Sequence, residues 1–181
     1  MNKSTQLMCA HSALLFAVLL GLGPFLIAGW LPTVSPIKSA ADVAQMFVDD
    51  QTGIRIGTSI MALASVLWWT FCAVISVQMK RIEGPHHPLT YVQLACAGGT
   101  VLAIILPAYI WLAMAYRPGA TPVETLQLFN DLSSLMFIGA YPPGLLQCVV
   151  IGICILSDKR ATPVFPRWVG FANLWVAFLF L

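Results

Sequence analysis

Polar and apolar positions are not mixed along this chain; they fall into long blocks. Residues 12–31, 57–79, 90–115 and 134–157 contain no acidic or basic side chain and no histidine. Each block reaches the roughly 20 residues that a helix rising 1.5 Å per residue needs to cross about 30 Å of hydrocarbon. A fifth apolar run, residues 168–181, has 14 residues and would span only about 21 Å as a helix. We expect it to be the start of a further span, with the chain cut short of the natural protein. Blocks of this length predict helices and not barrel strands, which alternate over about ten residues. The expected architecture is an all-α integral membrane bundle of four complete transmembrane helices plus a fifth truncated one, in a single polytopic domain.

Two polar connections carry a pattern of their own. One contains Ser39, Asp42, Gln45, Phe47 and Asp49; the other contains Thr121, Glu124, Gln127, Phe129 and Asp131. These residues pair at an offset of 82, which also superposes Ile56-Gly57 on Ile138-Gly139 and Cys72 on Cys154. Ser39 and Thr121 are expected N-caps with an acid three residues on, and Pro122 suits a first helical position. The pattern predicts two short amphipathic helices at the outer interface. It also predicts an internal duplication, with copies at about 12–79 and 90–157 followed by 168–181. Two spans per copy give both copies the same orientation in the membrane.

Composition agrees with the block pattern: 59% of the residues are hydrophobic and 9% charged, with a mean hydropathy of +0.86. A soluble domain is about 25% charged. The net charge of +2 provides no basic surface for nucleic acid. Lys3, Lys80, Arg81, Lys159, Arg160 and Arg167 fall on one predicted side and Lys38, Arg55 and Arg117 on the other. With the acids included, the sides carry +4 and −2. The positive-inside rule then predicts a cytoplasmic amino terminus, and a cell inner membrane is expected because the chain is compact and its predicted outer loops lack N-x-S/T acceptors. The opening apolar block is too long for a signal-peptide core and is expected to stay as an anchor.

Small residues recur every fourth position in the third span, at Ala95, Gly99 and Ala103, and in the fourth, at Ala140, Gly144, Cys148 and Gly152. Such stripes allow close helix contact in lipid, and the two are expected to face each other. Tyr141-Pro142-Pro143-Gly144 interrupts the fourth span. The prolines either kink one helix or start a second one after a loop-borne helix. A ligand site at such a break would use Tyr141, Pro142, Pro143 and Gln147, with Trp69 near the bilayer midplane as a further candidate. Trp30, Trp111, Tyr116 and Trp168 read as interfacial aromatic belts.

His86 and His87, with His11 on the same predicted side, are the weak metal candidates, and no third ligand at helical spacing accompanies them. The five cysteines form no C-x-x-C pair and read as small buried hydrophobes. No charged group lies within a complete span, which argues against a proton-coupled carrier. No nucleophile set lies there either, so no enzyme activity and no cofactor are expected. The chain is expected to be a non-catalytic subunit or accessory protein. It would pack with other integral membrane proteins or hold a lipid or other apolar ligand. The alternative is a small carrier or channel for a neutral or apolar solute.

Overall fold

The structure, a computed structural model, describes residues 3–30 and 35–181. All its regular elements are helical. Helix α1 (Lys3–Leu20) runs directly into a π-helical turn (Gly21–Ile27), followed by α2 (Ala40–Asp49), α3 (Gln51–Glu83) and α4 (Pro88–Met114). A 3₁₀ turn (Pro118–Ala120) leads to α5 (Val123–Gly139), α6 (Pro142–Ser157) and α7 (Arg167–Leu179). Four helical stretches are long and apolar enough to cross a membrane: Lys3–Ile27, Gln51–Glu83, Pro88–Met114 and Val123–Ser157. All four begin before their apolar blocks do, because polarity does not end a helix; caps and turns do. Gly84, at φ +77°, ends α3, and Pro88 begins α4, where a missing N–H removes no internal bond. Leu31, the predicted end of the first span, lies outside the described residues.

The second outer segment departs from expectation. It is not a short interfacial helix: α5 runs for 17 residues and absorbs the start of the expected fourth span. Ala140 and Tyr141 then interrupt the helix, and Pro142 opens α6 as a new helix whose first turn closes through Leu145 N–H to Tyr141 O at 2.9 Å. The prolines therefore begin a helix and do not bend one. Thr121 is not the N-cap either. Its hydroxyl donates to Arg117 O at 3.2 Å, and Pro122 precedes the first helical residue. Ser39 does cap α2: its Oγ accepts from Asp42 N–H at 3.2 Å, and Asp42 Oδ2 accepts from Ser39 N–H at 3.3 Å.

The chain divides into two compact units, and α1, α3 and α4 each contribute to both. In the first unit (Met1–Ala13, Trp68–Val101 and Tyr141–Leu181) α7 packs along α6. Contact is close because glycines meet there: a Cβ on Gly152 would lie 2.8 Å from Leu174 Cγ and 3.0 Å from Gly170 O. Met79, Ile151, Cys154 and Ile155 form the apolar centre. Glu83 closes the α3–α4 turn by accepting from Leu89 N–H at 3.0 Å and Thr90 N–H at 2.8 Å. These are free donors of the first turn of α4, where a carboxylate is also favoured by the helix dipole.

The second unit comprises Leu14–Leu67 and Leu102–Ala140. Here α2 lies on α5, and Phe47, Ile54, Met61 and Leu126 are fully buried. Gln51 Nε2 donates to Ala115 O at 3.0 Å, joining the start of α3 to the end of α4. Pro24 lies inside the π-helical turn. An interior proline cannot donate and crowds the carbonyl of Leu20, and the wider turn relieves both problems. The turn also lies backbone to backbone on α3: a Cβ on Gly23 would stand 2.7 Å from Gly57 O. Only glycine at both positions permits that approach.

Candidate functional site

The π-helical turn sets the course of the chain beyond it. Ala28 N–H donates to Gly23 O at 3.0 Å in the wide register. Gly29 then takes φ +68°, a left-handed conformation that reverses the chain and brings Trp30 N–H to Pro24 O at 3.2 Å. Trp30 is thereby turned inward, 8% exposed, with its ring 4.5 Å from that of Trp111 on α4. Trp111 packs edge-on to Phe137 of α5 at 6.2 Å and donates from Nε1 to Asn130 Oδ1 at 3.3 Å.

These side chains wall a cavity of about 560 Å³ that lies entirely within the second unit. Pro24, Phe25, Met61, Trp111 and Phe137 make most of its lining apolar and aromatic, and Asn130, Asp131 and Ser134 supply polar groups from α5. Among the described residues, no lysine, arginine or histidine takes part in the lining. A concave, mainly apolar space with a few fixed polar groups is the usual form of a small-molecule site. π-helical turns are frequent at such places.

The polar groups are ordered. Ser134 gives its hydroxyl proton to Asn130 O at 2.8 Å, leaving only its oxygen lone pairs. Indole N–H is a donor only, so Trp111 fixes Asn130 with Oδ1 toward the ring and Nδ2 on the other side. Asn130 is 5% exposed. Trp30 Nε1 is sealed in the wall with no hydrogen-bond partner among the described residues.

The residues singled out from the sequence lie elsewhere. Tyr141 stacks on Phe180, the residue that follows α7, with ring centroids 6.3 Å apart, in the first unit. Gln147 is buried and donates from Nε2 to Cys72 Sγ at 3.0 Å. Nearby in the same unit, Ser76 donates to Gln93 Oε1 at 2.6 Å. Trp69 is 44% exposed, its indole next to Gly98. Pro143 abuts Gly99: a Cβ there would be 2.9 Å from the proline ring.

Gly144 and Gly152, from the expected fourth-span stripe, face Phe180 at the end of α7 and Leu174 within it. Cys148 is half-buried and Ala95 exposed; Ala103 and Ala140 are half-buried and belong to the second unit. His11 and His86 are exposed. His87 pairs through Nδ1 with Gly84 O at 3.1 Å and through Nε2 with Tyr91 OH at 3.0 Å. A carbonyl only accepts, so Nδ1 is the donor in the first of these bonds. Among the described residues no group of three metal-ligating side chains comes together.

Sequence reading missed Trp30, Trp111 and Asn130 as site residues. The two tryptophans sit at span ends, where aromatic residues are ordinary, and the one available signal was Pro24 within an apolar block. In comparisons with known proteins, no family model, no curated protein and no solved structure matches this chain.

Proposed function

We propose that this is a non-catalytic membrane protein that holds an apolar molecule in the cavity between the π-helical turn, α4 and α5. The observation that carries this reading is the roughly 560 Å³ aromatic-lined space with polar groups supplied from α5. In this reading the chain is an accessory subunit of a cell inner membrane, with its amino terminus in the cytoplasm. The excess of Lys and Arg on one set of connections supports that orientation. Exposed apolar side chains along α7, including Trp168, Phe171, Trp175 and Phe178, suit lipid or neighbouring membrane helices. The 82-residue correspondence supports an internal duplication, although its members have diverged: Phe47 is fully buried and Phe129 is 41% exposed.

Native mass spectrometry of protein extracted gently from its own membrane tests the proposal. The expected spectrum shows an adduct of a few hundred daltons, the mass that such a cavity accommodates. That adduct should be missing from Ser134→Trp, whose indole would fill the space. A wild-type protein without any adduct, extracted under conditions that keep ordinary lipids bound, would sink the proposal.

A further inference from the structure

The cavity has a chemical polarity that narrows its ligand, and this inference rests on the apolar-ligand reading of that space. We infer that the occupant is an uncharged apolar molecule bearing a carbonyl-type hydrogen-bond acceptor, received by the Asn130 side-chain amide.

Asn130 is 5% exposed and lines the cavity. Trp111 Nε1 occupies its Oδ1. No described residue accepts from its Nδ2, and this nitrogen is not among the sealed donors of the structure. A donor left accessible on a side chain so nearly buried gains from an acceptor placed in the cavity. The donor cannot be exchanged for an acceptor by turning the amide over, because that would set two donors, the indole N–H and the NH₂, against each other. The site therefore presents a donor of fixed direction.

Charge excludes the anionic members of the class. Among the described residues, no cationic side chain lines the cavity, whereas Asp131 does. Within the second unit the acids Asp42, Asp49, Asp50, Glu124 and Asp131 outnumber Lys38, Arg55 and Arg117. A fatty-acid carboxylate would enter a low-dielectric space without a counter-charge and beside a like charge. A ketone, ester or quinone carbonyl accepts the Asn130 proton without that penalty, and its apolar body meets the aromatic wall.

Three probes of equal chain length test this: methyl undecyl ketone, n-tridecane and n-tridecanoate. They would be titrated into the full protein in nanodiscs of ether-linked lipid, which has no carbonyl of its own, with empty nanodiscs as the blank. The ketone should bind about fivefold more tightly than the alkane, the ratio for one net hydrogen bond. Its carbonyl stretch should shift to lower frequency on binding, and tridecanoate should bind more weakly than the ketone.

Asn130→Leu should abolish the ketone's advantage and the spectral shift while leaving tridecane binding in place. Because that variant also strips Trp111 of its acceptor, Asn130→Asp is the second test. One of its oxygens keeps the Trp111 bond. At alkaline pH, where the carboxyl is ionised despite burial and the neighbouring Asp131, it has no donor, so the ketone's advantage should vanish there. The advantage should return as the pH is lowered and the carboxyl becomes an O–H donor. Repeating the titration in ester-linked lipid separates two sources of the same chemistry. Weakened ketone binding identifies a bilayer lipid ester as the resident ligand, and unchanged binding identifies a diffusible carbonyl compound. Equal binding of ketone and alkane with an unshifted stretch would overturn the acceptor assignment and leave the apolar cavity standing, as would tridecanoate binding as tightly as the ketone. Failure of every probe to bind would overturn the cavity reading itself.

Discussion

Asp158 closes the segment after α6 by accepting from the Arg160 guanidinium at 2.7 and 2.8 Å and from Val164 N–H at 2.9 Å. The Arg160 side chain, followed by the Val164 amide, holds this carboxyl well below the ordinary carboxylate range. A carboxyl depressed in the folded state adds stability that is fully present above its unfolded pKa. That stability is lost as pH falls through the folded value. Asp158→Asn should therefore lower the thermal midpoint at neutral pH. The gap between wild type and variant should narrow progressively below about pH 4, the unfolded value for Asp. Midpoints in detergent at a series of pH values would show this, and a gap of constant size down to pH 2 would count against it. Nothing in the sequence around Asp158 marked it, because its partners are defined by a loop conformation and not by spacing.

At the scale of elements, two glycines of the expected stripes should respond in opposite ways. A Cβ on Gly99 would press on the Pro143 ring at 2.9 Å, and that ring is anchored in the first turn of α6. Gly99→Ala should cost about 1–3 kcal/mol, the range for overpacking. On Gly144 a Cβ would meet Phe180 at 3.8 Å, an ordinary contact. Gly144→Ala should be neutral, or stabilising by up to about 1 kcal/mol, through better helix propensity. Thermal unfolding of both variants in one detergent decides the matter, and the reverse order would refute this packing. Four-residue spacing identified both stripes, but it could not say which neighbour each would meet. The fourth-span glycines turn to α7, a partner that spacing within one span does not reveal.

For the molecule as a whole, the membrane orientation proposed from loop charge is open to direct test. Lys38, Lys80 and Lys159 are all exposed. In intact cells a membrane-impermeant amine reagent should label Lys38, and it should reach Lys80 and Lys159 only after the membrane is opened. Labelling of Lys159 in sealed cells would reverse the assignment.

The class of protein and the location of its apolar helices were legible in the sequence alone. Lipid selects on the summed hydropathy of about 20 neighbouring residues, and that sum is local. The cap of α2 was legible for the same reason, since Ser39 and Asp42 stand three residues apart. The break at Pro142 was legible too, as a kink or a new start, but which of the two it is, and what the helices enclose, emerged only from the structure in three dimensions. In nearly uniform apolar stretches such as α4, no polar face distinguishes the side toward protein from the side toward lipid. The contacts that matter join Gly23 to Gly57, Trp30 to Trp111 and Trp111 to Asn130, pairs separated by 19 to 81 residues. Shape and the satisfaction of buried polar groups select those pairs, and neither can be read from neighbours along the chain.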